Sequence, residues 1–313
     1  MRRAALPSIH SLRLRLMRTN PVLRQLGSYA IADIQQTARE MRDAGMPLVD
    51  FSIGDPREPT PPFIRQTLID SVPEVSQYPT VKGLAELREA VAGYVDRRFG
   101  VSIDPETQVL PTRGSKEAVF SSPLAFVDRD AGDGVIWPTP GYPVYERGAR
   151  LAGAIGDPVA LRDDFVFRAD MASDEAWKRA AMVWICTPHN PAGSVMPRDE
   201  IAEFYRRARQ VDAMLCSDEC YIDLYDQEPP ASALQVGEPS LANLLVFFSL
   251  SKRSGMTGYR SGVIVGDPEA ITLLRALRTG TGTAPTEFGQ LAAAAAWADD
   301  RHVAERREIF AQK

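Results

Sequence analysis

The sequence predicts an α/β protein, a three-layer sandwich with a mostly parallel central sheet between layers of helices. Short runs rich in Val, Ile, Leu or Phe recur along the chain, each followed by a polar or Gly-rich turn and then helix-like sequence. That alternation is the signature of parallel strands crossed over by helices. The chain's 313 residues, 44% of them hydrophobic, supply enough apolar material for one large core or two unequal ones.

The elements follow in order. Over residues 31–44 the spacing of Ile31, Ile34, Ala38 and Met41 is helical, and Gly45 with Pro47 ends it. A short strand is expected over 48–53. The prolines of 54–62 then fix an extended loop that can be neither helix nor central strand, and that can line a pocket. The clearest strands are 134–137, 182–186, 213–217, 244–249 and 262–265. Residues 115–126, 198–210 and 269–278 read as helices. From Thr286 an Ala-rich run to Trp297, followed by 301–313, reads as one or two long helices. No Gly or Pro closes this pattern, so the sequence is expected to be a truncated copy of a longer protein.

Composition narrows the function. A formal net charge of −5 gives no attraction for polyanions, so nucleic acid is not the expected partner and a small molecule is. Cys186, Cys216 and Cys220 are too few for a disulfide framework and fit a reducing cytoplasm; they lack the partners of a zinc site, so no metal is expected. No apolar run approaches the ~20 residues that span a bilayer. At the start, Arg2, Arg3, Arg13, Arg15 and Arg18 precede any acidic residue. This segment reads as an upstream extension of a true start at Met17, or as a targeting or membrane-surface segment.

In open α/β sheets ligands gather beyond the carboxyl ends of strands, which singles out Asn190, Asp218 and Lys252. Lys252 lies in the segment from Ser249 to Arg260, which places an arginine eight residues after the lysine with glycines between. Asn190 sits in Thr187-Pro188-His189-Asn190-Pro191-Ala192-Gly193, where Pro191 and Gly193 would fix a turn that aims its amide. Asp218 and Tyr221 put a carboxylate at the end of an apolar strand and a phenol three residues on. A buried carboxylate without a cation is costly, which weighs against a purely structural Asp218. Thr112-Arg113-Gly114-Ser115-Lys116 enters a helix whose free N–H groups can hold a phosphate, and Tyr142 is presented on a Pro/Gly loop. Alone, each has an ordinary reading: a cationic surface loop, an Asn-Pro turn, a helix cap, a core aromatic.

Together, in order and spacing, these elements resemble the class I/II aminotransferase family of fold-type I pyridoxal-phosphate enzymes, from about Leu23 to Lys313. The combination of Asn-Pro-x-Gly, Asp-x-x-Tyr and Ser-x-Ser-Lys with its distant arginine is far more specific than any one element. The resemblance implies pyridoxal 5'-phosphate as cofactor and Lys252 as the residue that anchors it and serves as base. It implies Asp218 as partner of the ring nitrogen, with Asn190 and Tyr221 on the ring's phenolate oxygen. Tyr142 would stack on the ring. Arg260, Ser249, Ser251 and the N–H groups of Ser115 and Lys116 would hold the phosphate. Tyr78 matches the family tyrosine that reaches the neighbouring subunit's phosphate, which implies a homodimer. Gly54 and Asn190 would border the substrate carboxylate.

The family's main carboxylate-binding arginine lies in a C-terminal small domain that this sequence largely lacks. The expected organisation is therefore an N-terminal extension and arm with part of the small domain (1–50), a large cofactor-binding domain (51–286), and a long helix toward the absent small domain (287–313). Gly54 to Pro61 and Ser249 to Ser254 look like the corresponding segments of bacterial succinyldiaminopimelate aminotransferases of lysine biosynthesis. That suggests amino transfer between glutamate/2-oxoglutarate and an N-succinyl amino-oxopimelate, with Arg57 or Arg113 as candidates for a distal carboxylate, though each also reads as a surface cation. The alternatives are an aspartate-type aminotransferase, a carbon-sulfur lyase on the same scaffold, or a non-catalytic cofactor-binding regulatory domain. The last is disfavoured because no DNA-binding module precedes the fold.

Overall fold

The computed structural model describes residues 18–27, 30–51 and 54–313. The arginines of the segment read as an upstream extension or a targeting or membrane-surface segment, apart from Arg18, lie outside the described residues. Two compact units divide the chain, Met1–Asp55 and Pro56–Lys313. In the first, the helix Ala30–Asp43 forms as its periodicity predicts and ends before Gly45, whose φ is +70°. Arg42 pairs with Asp50. The strand expected from residue 48 is not formed through residue 51, and Ser52 and Ile53 lie outside the described residues. Val49 and Phe51 are exposed, so this apolar run finds no sheet to join.

The second unit is built on one sheet. Its strands are β1 (Val109–Thr112), β2 (Gly134–Thr139), β3 (Ile155–Ala160), β4 (Ala180–Cys186), β5 (Met214–Asp218), β6 (Leu244–Ser249) and β7 (Gly262–Gly266). They lie in the order β1-β7-β6-β5-β4-β2-β3. All neighbours from β6 to β3 pair in parallel, while β7 runs antiparallel to both β6 and β1. Thr112, Cys186, Asp218 and Ser249 therefore end their strands at one edge of the sheet. β7 starts at that edge, with Gly262 opposite Ser249 on one side and Thr112 on the other.

The strands of the centre read as unbroken apolar runs because both faces are covered. Val183, Ile185, Leu215, Val246 and Phe248 enter one core, and Met182, Trp184, Cys216, Leu245 and Phe247 the other. This two-residue alternation splits a single run between two helical layers. The helix Arg198–Gln210 has the predicted bounds, and Pro268–Thr279 starts on Asp267, whose carboxylate accepts from the N–H groups of Glu269 and Ala270.

The helix expected over 115–126 is instead two pieces, Ser115–Ser121 and Pro123–Phe126, because Pro123 has no N–H to continue the ladder. The Ala-rich C-terminal stretch is likewise two helices, Glu287–Ala298 and Arg301–Ala311, separated at Asp299 and Asp300. No helix among the described residues is long and apolar enough to cross a membrane.

Candidate active site

Asp218 is the last residue of β5 and is 5% exposed. Its Oδ2 accepts from the Tyr145 hydroxyl at 2.8 Å and its Oδ1 from the Cys220 N–H at 3.3 Å. No cationic side chain pairs with it among the described residues. Burial therefore pushes its pKa up, and the contacts from Cys220 and Tyr145 only partly offset this. The Cys220 thiol lies 3.0 Å from the Ser115 hydroxyl, which joins this carboxylate to the turn after β1.

Lys252 is half-buried in the short helix Leu250–Arg253 that begins where β6 ends, and Ser249 caps that helix by accepting from the Ser251 N–H at 3.2 Å. What fixes this turn is its neighbour. Arg253 is 3% exposed and pairs with Asp223 at 2.9 Å and Asp300 at 2.7 Å, while its guanidinium lies over the rings of Tyr94 and Trp297. Next along, Ser254 meets His302 at 2.8 Å, and His302 in turn meets Asp299 at 2.7 Å. Two consecutive residues are thus locked into the core, and the lysine before them is held in place. Lys252 and Arg260 stand out in the sequence of this stretch and Arg253 does not, because the carboxylates that mark it lie 30 and 47 residues away.

At the same edge, Arg260 adopts a left-handed backbone (φ 54°) and donates to the carbonyls of Thr257 at 3.0 Å and Arg113 at 3.3 Å. No carboxylate neutralises it among the described residues. Two glycines make room for this cradle. A Cβ on Gly114 would stand 2.3 Å from the Arg260 guanidinium, and one on Gly262 would stand 2.8 Å from the Ser115 nitrogen. Glu117 secures the turn by accepting from the Arg113 N–H at 2.9 Å and holding Arg278 through two contacts of 2.7 Å.

Asn190 stands on the loop after β4, whose last residue pairs with Asp218. Both Thr187-Pro188 and Asn190-Pro191 are cis. Tyr142 is set edge-on to Tyr145, with ring centres 5.7 Å apart. Tyr221 follows Asp218 by three residues, and both Tyr142 and Tyr221 are half-buried. Lys116 is exposed on the first turn of its helix. Tyr78 is wholly exposed. Gly54 belongs to the other compact unit. Among the described residues no group of three or more His, Cys, Asp or Glu could hold a metal.

Beside Asp218, Glu219 turns into the opposite core and is 1% exposed; its Oε1 accepts from the Ser217 hydroxyl and the Ala233 N–H, each at 2.8 Å. Burial pushes its pKa from 4.5 up to about 7. The folded chain then keeps a proton that the unfolded chain releases, so this group lowers stability as pH rises through 4.5 to 7. At about 1.4 kcal/mol per pH unit the loss is on the order of 3 kcal/mol. Glu219→Gln should unfold at higher denaturant than the parent at pH 8 and equally at pH 4.5. Denaturation curves at the two pH values check this; parallel losses in both proteins would refute it.

A buried carboxylate without a cation, an uncompensated arginine on a glycine-lined turn, and a lysine just past the end of the strand between them fit a pyridine ring with a phosphate arm. Fold and site define a pyridoxal-phosphate-dependent enzyme of fold type I. The chain belongs to the class I and II aminotransferase family, whose sequence profile matches residues 46–313. It is 35% identical over 285 residues to LL-diaminopimelate aminotransferase 2 of Nostoc sp., covering 89% of this chain and 72% of that protein. It is 37% identical over 268 residues to 4-dedimethylamino-4-oxo-anhydrotetracycline transaminase OxyQ of Streptomyces rimosus, covering 85% and 71%. The crystal structure of an aminotransferase from Neisseria meningitidis superposes with a TM-score of 0.86 at 34% identity, covering 94% of this chain and 77% of that one. The protein is an aminotransferase acting on an amino acid and a 2-oxo acid.

Proposed function

We propose that the enzyme transfers an amino group between glutamate/2-oxoglutarate and a diaminopimelate-type substrate of lysine biosynthesis, either free or N-succinylated. The observation that carries this is the identity to proteins named LL-diaminopimelate aminotransferase, in Nostoc sp. and in Aquifex aeolicus. The loop from Gly54 to Pro61 and the segment from Ser249 to Ser254 had pointed to the N-succinyl substrate. An aspartate-type aminotransferase or a carbon-sulfur lyase is the competing reading on this scaffold.

In the proposed site the cofactor, when bound, supplies an electron-accepting ring conjugated to the substrate α-carbon. Lys252 would hold it through Nζ and would take and return the substrate α-proton at Nζ. Asp218 keeps the ring nitrogen protonated, and the ring's charge in turn offsets the cost of burying the carboxylate. Asn190 and Tyr221 donate to the ring oxygen. Tyr142 covers one ring face. Arg260, Ser249, Ser251 and the N–H groups of Ser115 and Lys116 hold the phosphate. Asn190 borders the substrate carboxylate.

A homodimer is part of this reading, with Tyr78 serving the second copy's site. Ile69, Val72, Val75 and Tyr78 expose 61%, 58%, 75% and 100% of their surface, a run of apolar surface that a partner would cover. Three free cysteines support a cytoplasmic enzyme.

The test is product analysis of purified holoenzyme. LL-diaminopimelate and its N-succinyl derivative are each supplied with 2-oxoglutarate, and glutamate formation is followed. Glutamate from at least one of them, exceeding that from aspartate, is expected. Faster glutamate formation from aspartate would leave the aspartate-type reading standing, and release of pyruvate and ammonia without a 2-oxo acid would leave the lyase.

A further inference from the structure

Tyr145 does not stand out in the sequence, yet it touches two of the groups assigned to the cofactor ring, Asp218 and Tyr142. It is 0% exposed, and its ring lies nearly parallel to that of Trp184, 15° apart in plane with centres at 5.0 Å. Trp184 is itself fully buried in β4 and packs against Phe247 of β6 at 5.0 Å. The phenol is therefore fixed by the sheet. From this fixed ring the hydroxyl reaches Asp218 Oδ2 at 2.8 Å, and the edge-on contact at 5.7 Å supports the Tyr142 ring.

We propose that Tyr145 is a positioning residue: its hydroxyl holds the Asp218 carboxylate in the orientation that receives the ring nitrogen, while its ring braces the Tyr142 wall. This rests on the assignment of Asp218 and Tyr142 to the cofactor ring. The geometry makes the hydroxyl specific to one end of the cofactor. A carboxylate has two oxygens; Oδ2 is taken by Tyr145 and Oδ1 by the Cys220 N–H, so neither is free to swing toward the apolar strand. A donor on each oxygen also favours the ionised carboxylate, the form that can pair with a protonated ring nitrogen. Burial of the phenol keeps it a neutral donor, since desolvation and the Asp218 charge push its own pKa well up.

Tyr145→Phe removes the hydroxyl and keeps the ring, so the two functions separate. The measurement is the affinity of the apoprotein for two probes, read by quenching of tryptophan fluorescence. One is pyridoxal 5'-phosphate; the other is its 1-deaza analogue, in which C–H replaces the ring nitrogen and Asp218 has nothing to pair with. The parent protein is expected to prefer pyridoxal phosphate by about tenfold, the size of one charge-assisted hydrogen bond. Y145F is expected to lose most of that preference while binding the deaza analogue as the parent does. Tyr145→His, which keeps a ring donor at this position, should retain part of it.

Equal weakening of both probes in Y145F would show a role in packing alone and overturn the proposal. So would a preference in Y145F as large as the parent's. If the parent binds the natural cofactor but shows no preference over the analogue, the assignment of Asp218 fails and this inference with it. If the parent binds neither, the cofactor reading itself fails.

Discussion

Lys252→Ala should abolish covalent retention of the cofactor and lower turnover by roughly 10⁴-fold, because one substitution removes both the proposed anchor and the proposed base. The holoenzyme's visible absorbance should be lost, and borohydride treatment followed by proteolysis should no longer yield a cofactor-labelled peptide. The fold should survive. Lys252 is half-buried, and the contacts that lock its turn belong to Arg253 and Ser254, which the substitution leaves intact. A variant that still carries a borohydride-stable label on its peptide would remove Lys252 from the anchor position. Exogenous methylamine, a small base that fits the space left by the side chain, should restore part of the turnover but not the label. Rescue of that kind separates the lysine's two roles.

The centre of the fold was legible in the sequence and its margins were not, and the difference is burial. β4, β5 and β6 are covered on both faces, so they had to be continuous apolar runs, and their expected bounds were close to those found. β1 escaped notice because it is four residues long and contains Pro111, and β3 because it is a mostly exposed edge strand carrying Gly156, Asp157 and Pro158. Of the proposed site residues, those that stand out in the sequence lie at or after strand ends with a distinctive neighbour: Asp218, Lys252 and Asn190. Residues that act through others left no local mark. Arg253 takes its meaning from carboxylates that arrive from distant segments, and Tyr145 from a hydroxyl contact with a residue 73 positions later. Side chains whose meaning depends on long-range pairing are invisible to any reading of spacing.

Asp218→Asn should lower turnover by roughly 10³-fold, the scale lost when a preorganised charge is removed from where charge develops, with Lys252 still able to hold the cofactor. The amide has nearly the volume of the carboxylate and can still accept from the Tyr145 hydroxyl, so the stacking of Tyr145 on Trp184 and the strand pairing with Cys186 are kept. What is lost is the negative charge proposed to keep the ring nitrogen protonated. The same charge is a burden to the apoprotein. Without the cofactor it is buried beside neutral donors, and its raised pKa means that the folded chain loses stability as pH rises above the unfolded value of 3.8. The substitution should therefore raise the melting temperature of the apoprotein at pH 8 and lower that of the holoprotein relative to the parent, while it depresses kcat and leaves the borohydride-stable label in place. This crossing of apo and holo stabilities is what a functional buried charge predicts and a structural one does not, because a residue retained for the fold would cost stability in both forms when replaced. Scanning calorimetry of the four species decides it, and a melting temperature that falls in both apo and holo variants, with turnover intact, would take Asp218 out of the mechanism.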